Sequence, residues 1–169
     1  MKTAIEILME LWFGHLNLGQ IHQWAEDYIY EYDTKSDDEY FKILDSDLLE
    51  SEALLLELAR KINLSFSKNS LISEVFSAQY LLERLKEYLN NQIKPLVLCN
   101  MITEMEVTFL GAPRSLPEGV AYYPEWLGNL WNACDWCDES WTFENSSELK
   151  TEIRIQIQKI EEWILSIKI

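Results

Sequence analysis

The apolar residues of this chain recur at spacings of three and four along almost its whole length. One face of an α-helix satisfies that period and a β-strand does not. Ile5, Leu8, Met9, Trp12 and Leu16 mark a stripe over residues 3–15, with Gly14 and Gly19 punctuating its end. Ile21, Trp24, Ala25, Tyr28 and Ile29 mark a second over 18–32. A third runs over 47–60 on Leu48, Leu55, Leu58 and Ala59, where Asp47 is placed to cap and Glu50 lies near the positive helix end. Ser70 opens a long helix over 70–90 on Leu71, Val75, Ala78, Leu82, Leu85 and Leu89, and Asn90-Asn91-Gln92 stops it. Pro95 suits the first turn of a helix carrying Leu98, Cys99, Ile102, Met105 and Phe109. Val107-Thr108-Phe109 also admits an extended reading.

Pro124 opens a further helix through 140, and Ser146 or Ser147 caps a last one with Leu149, Ile153, Ile157, Ile160, Trp163, Ile164 and Ile167 inward. Loops are expected at 34–38, at 63–69 and, with Pro113 and Pro117, at 111–119. Two-residue alternation is sustained only around Tyr28-Ile29-Tyr30-Glu31-Tyr32. The expectation is a mostly α fold, a single-domain helical bundle of about six or seven helices. The 169 residues, 48% of them hydrophobic, suit one α-helical domain over 1–169 with a continuous core.

No apolar run approaches the ~18 residues of a membrane span. Glu6 and Glu10 fall where a signal peptide would be apolar. Three cysteines cannot all pair within the chain, which fits a reducing cytoplasm. The expected localisation is cytoplasmic.

The charge is concentrated. The chain carries a net −15. Residues 26–52 hold eleven carboxylates against Lys35 and Lys42, a net of −9. Residues 115–149 hold seven carboxylates and no Lys or Arg, a net of −7. A coat that merely keeps a protein soluble would be spread more evenly. This balance disfavours nucleic acid, whose phosphates need clustered Lys and Arg, and disfavours anionic membrane surfaces. It suits a basic protein.

Both acidic stretches are also rich in large rings. Tyr28, Tyr30 and Tyr32 stand two apart, so on a helix they cannot all face the core. The second stretch holds Tyr122, Tyr123, Trp126, Trp131, Trp136 and Trp141. Tyr and Trp bury much area at low entropy cost and anchor interfaces. Core packing with polar tips at the surface accounts for any one ring, but the coincidence with the charge favours an interface.

Other constellations carry less. Cys134 and Cys137 have the C-x-x-C spacing and, with Cys99 and His15 or His22, would make four soft ligands. A structural zinc site usually brings two such pairs, and residues 134 and 137 share a helix face in any case. No strand–helix pattern precedes the pair, as thioredoxin-like redox chemistry requires. Asp45, Asp47, Glu50 and Glu52 lack the glycine and terminal glutamate of a calcium loop and read as helix-capping groups. No motif assigns a nucleophile, base or cofactor. The expectation is a protein that is not an enzyme and needs no cofactor or metal.

The segment Glu118-Gly119-Val120-Ala121-Tyr122-Tyr123-Pro124 resembles the Tyr-Tyr-Pro recognition element of the helical immunity proteins for nuclease colicins. As a small acidic chain with acidic-aromatic patches, this one is similar more widely to the immunity proteins of bacterial toxin–immunity systems, those of contact-dependent inhibition included. The resemblance implies a cytoplasmic inhibitor that occludes one cognate toxin protein, a basic nuclease-type domain, with Tyr122 and Tyr123 as central binding residues. The expected partner-binding set is Tyr30, Asp33, Asp37, Asp38, Glu39, Tyr122, Tyr123, Trp126, Asp135, Asp138 and Glu139. Alternatives are a DNA-mimic inhibitor of a nucleic-acid-binding protein, and a small enzyme or metal protein centred on Cys99, Cys134 and Cys137.

Overall fold

Thr3 starts the first helix. Its hydroxyl accepts from the Glu6 amide at 3.3 Å while the Glu6 carboxylate accepts from the Thr3 amide at 2.6 Å, a reciprocal cap that satisfies two otherwise unpaired donors. The same device opens two more helices, through Asn17 with Gln20 and Asp47 with Glu50. The computed structural model describes residues 1–14, 16–33, 38–68, 70–106 and 125–167, with Glu125 and Trp126 in backbone only. Among them are eight α-helices and no strand. These are α1 (Ala4–Phe13), α2 (Leu18–Tyr32), α3 (Glu39–Leu44), α4 (Leu48–Ile62), α5 (Leu71–Leu89), α6 (Pro95–Met105), α7 (Glu125–Cys134) and α8 (Ser147–Ser166).

The chain divides into two compact units, Met1–Ser67 and Lys68–Ile169. In the first, α1 packs on α4, and α2 packs on α3 and α4. Leu8, Phe13, Ile21, Ala25, Ile43, Leu55 and Ala59 are wholly buried there. Trp12 stacks on Phe66 and donates its indole N–H to Glu52 at 2.8 Å. In the second unit, α5 packs on α6 and α8, and α7 packs on α6 and α8. Its centre is built from Leu81, Leu85, Leu98, Ile102, Leu130, Ile153 and Ile160, among others. The Tyr88 hydroxyl lies 2.5 Å from Ser146 Oγ, and Ser146 Oγ donates to the Thr142 carbonyl at 2.7 Å. That hydroxyl work replaces the expected cap, for Ser146 makes no side-chain cap bond to α8.

The mostly α expectation holds, and the differences are local. Helix α3 lies between the loop expected at 34–38 and the helix expected from 47 and answers to no expected element, because six residues carry too little periodicity to register. Helix α7 stops at Cys134 rather than near 140, since a backbone bond from Cys137 N–H to Cys134 C=O at 2.9 Å turns the chain. Leu48 and Leu71, expected inward, are exposed at the first positions of their helices. At those positions the stripe has not yet met the neighbouring helix. The expectations for His15, for 34–37, for Val107-Thr108-Phe109, for the loop 111–119 and for Pro124 fall outside the described residues.

A candidate protein-binding surface on each unit

Helix α2 separates its three tyrosines as helical geometry requires. Tyr28 turns inward and stacks on Tyr40 of α3, with centroids 3.9 Å apart and planes 5° from parallel. Tyr32 lies 4.5 Å from Tyr28, and Trp24 holds Tyr40 at 5.5 Å. Trp24 is itself buried and donates to the Lys2 carbonyl at 2.9 Å. Burial and the neighbouring Tyr28 hydroxyl push the Tyr40 phenol above its ordinary pKa. Trp24, Tyr28 and Tyr40 therefore serve packing first, while Tyr32 stays exposed at the end of α2.

Tyr30 points the other way and is 92% exposed. On a helix the residues three and four before it share its face, and here these are Asp27 and Glu26. With Gln23, Glu31 and Met1 they line an open hollow of about 710 Å³. Asp27 accepts from the Gln23 amide at 2.8 Å. Asp33 ends α2 in the left-handed region, φ 47°, which aspartate tolerates better than most residues, and its side chain is exposed.

Asp38 and Glu39 are less available than the sequence suggests. Asp38 caps α3 by accepting from the Glu39 amide at 2.7 Å. Burial, followed by the Glu39 carboxylate beside it, raises the Asp38 carboxyl. Glu39 pairs with Lys61 of α4, which holds its carboxyl down at about 2. Tyr28, Tyr32, Asp38, Tyr40, Leu58 and Lys61 lie around a second hollow of about 410 Å³.

In the second unit the turn after α7 presents Asp135, Trp136, Asp138 and Glu139, all exposed, with Trp136 at 82%. Asp138 accepts from Ser140 N–H at 2.8 Å and from the Ser140 hydroxyl, which keeps its carboxyl below the usual range. Trp131 and Trp141 are half-buried. Asp37, Tyr122 and Tyr123 lie outside the described residues, and Trp126 is placed on α7 by its backbone. Glu26, Asp27, Glu31 and Trp136, counted in the two acidic-aromatic stretches but not in the expected partner-binding set, also lie on these surfaces. Their signal was present: offsets of three and four from Tyr30, and a tryptophan flanked by Asp135 and Asp138.

The cysteines converge as well. Cys99 of α6 and Cys134 at the end of α7 are both buried, with Sγ atoms 2.6 Å apart. Cys137 is half-buried, held in the turn after Cys134 by its N–H bond to the Cys134 carbonyl. Burial, with Cys99 beside it, pushes the Cys137 thiol up to about 12. The neighbouring Cys134 thiol and then burial raise Cys99. His22 gives its Nε2 to the Ser46 carbonyl at 3.1 Å, a packing role. Among the described residues no group of three or more His, Cys, Asp or Glu is arranged to hold a metal ion. No helix there is long and apolar enough to cross a membrane. No protein-family model, curated protein or solved structure matches this chain.

Proposed function

We propose that the chain binds a basic protein domain, and that it does so as an immunity protein neutralising a nuclease-type toxin. The observation that carries this reading is Tyr30, a ring 92% exposed on a helix face it shares with Glu26 and Asp27. A ring so exposed contributes almost nothing to folding through burial. It is available to a partner, and the surrounding carboxylates select a partner bearing Lys and Arg. Long-range attraction speeds encounter, and the ring, desolvated in the complex, slows departure. Cations occupied in this way no longer meet phosphate, so nuclease activity is blocked by occlusion. Trp136, among Asp135, Asp138 and Glu139, offers a second contact of the same chemistry, and Tyr122 and Tyr123 add a third by resemblance.

The test takes the full chain and, as candidate partners, the products of the genes adjacent to its own, among which a basic nuclease domain is expected. One variant combines Glu26→Gln, Asp27→Asn, Glu31→Gln and Asp33→Asn, none of which pairs with a lysine or arginine among the described residues. Its association rate should fall ~10-fold at low salt with little change in off-rate. Tyr30→Ala should raise the off-rate ~10-fold or more. If both variants associate, dissociate and protect cells as the wild type does, the reading fails.

A further inference from the structure

The proposed binding surface makes no use of the three cysteines. Sequence separation gives no reason for Cys99 to meet Cys134, yet α6 and α7 bring their sulfurs to 2.6 Å, and the bond from Cys137 N–H to Cys134 C=O keeps Cys137 in the turn directly after them. Their accessibilities differ in a definite order. Cys99 and Cys134 are buried and nearest each other, while Cys137 reaches partway to solvent beside exposed Asp135, Asp138 and Glu139.

We propose that Cys99, Cys134 and Cys137 form a thiol–disulfide exchange site for a small cationic or neutral disulfide, with Cys137 receiving it and a buried Cys99–Cys134 disulfide as the product. Cys137 sulfur attacks one sulfur of the incoming disulfide. The S–S bond breaks, and the departing thiolate takes the proton that Cys137 loses. Cys99 then attacks the Cys137 sulfur, expelling the second small thiol, which takes the Cys99 proton. Cys134 finally attacks Cys99 sulfur, and Cys137 leaves with the Cys134 proton. One small disulfide is reduced to two thiols, and two protein thiols are oxidised to one disulfide.

The geometry sets the direction of this relay. The 2.6 Å between the Cys99 and Cys134 sulfurs compares with ~2.05 Å in a disulfide, so the last step needs little motion. Burial then shields the product from soluble thiols. Burial also keeps all but a small fraction of the Cys137 thiol protonated at neutral pH, so the exchange is slow and depends on concentrating the disulfide nearby. The carboxylates around Cys137 supply that concentration for a cation and oppose it for an anion.

The experiment exposes the reduced full chain to cystamine or to oxidised glutathione at low ionic strength, quenches with acid, alkylates, and maps linkages by mass. Cystamine should remove the mass of two hydrogen atoms, link the Cys99 and Cys134 peptides, and leave Cys137 alkylated. It should react ~10-fold faster than the anionic glutathione disulfide, with the gap closing at high salt. Cys137→Ser, at a half-buried position, should slow the reaction ~10-fold or more. In urea the preference for Cys99–Cys134 should disappear. A stable mixed disulfide at Cys137, a Cys134–Cys137 linkage, equal rates for the two disulfides, an undiminished rate in Cys137→Ser, or the same linkage pattern in urea would each overturn the proposal.

Discussion

Glu74 sits in the first turn of α5, yet its side chain is buried, with 7% of the residue exposed. A helix N-terminus favours a carboxylate. Here burial outweighs that and lifts the carboxyl from 4.5 to about 7. The native state therefore holds this proton more tightly than the unfolded chain does. The stability it contributes is complete below about pH 4.5 and is lost as pH rises through about 7, where the folded protein must bury a charge. The full difference amounts to ~3.4 kcal/mol at 1.36 kcal/mol per pH unit. Residual contact with water reduces this to about 2 kcal/mol. Glu74→Gln keeps the shape and removes the titration. In urea unfolding followed by far-UV circular dichroism, the substitution should be about 1 kcal/mol more stabilising at pH 8 than at pH 5, part of the loss having already occurred by pH 5. An equal effect at the two pH values would show that Glu74 is ionised in the native state throughout, and the burial argument would be wrong.

The tyrosines of α2 should separate by role. Tyr28→Ala, which removes the ring stacked on Tyr40, should cost about 2–3 kcal/mol in urea unfolding, while Tyr30→Ala should stay within about 0.5 kcal/mol. At the buried Tyr88–Ser146 contact, Tyr88→Phe should cost about 1 kcal/mol, because Ser146 keeps its bond to Thr142 C=O. Ser146→Ala should cost more, about 2 kcal/mol, by leaving the Tyr88 hydroxyl buried without that partner, and the double variant should recover part of the loss.

Most of the helices were legible because their signals are local. Asp47, Ser70 and Pro95 each stand where the structure starts a helix, and Asn90 where it ends one. Stripes of four or more apolar residues left little room for another reading. The failures share a cause too. Six residues of α3 are held by Ile43 in the core, by the Tyr28–Tyr40 stack and by the Glu39–Lys61 pair, all tertiary contacts that no window of sequence contains. Glu74 stands in a first turn, where a carboxylate is ordinarily exposed, and only the packing of the second unit buries it. The meeting of Cys99 with Cys134 is likewise a product of helix packing, here α6 on α7.

The acidic block of residues 26–52 shows why a count of charges under-describes a surface. Nine of its eleven carboxylates divide into two populations by what they already hold. Asp47 and Glu50 close a capping box, Asp38 caps α3, Glu39 pairs with Lys61, and Glu52 accepts from the Trp12 indole. Each of these is committed to the fold, and its amide would disturb a helix end or a tertiary contact along with the field. Glu26, Asp27, Glu31 and Asp33 stand on or just beyond the exposed turns of α2, and the Gln23 amide that donates to Asp27 lies within the same helix. Asparagine at 33 keeps the left-handed conformation that ends the helix. Charge can thus be removed from α2 without removing structure. A partner drawn by electrostatics will respond to that change through its association rate, while one that merely tolerates an acidic protein will not.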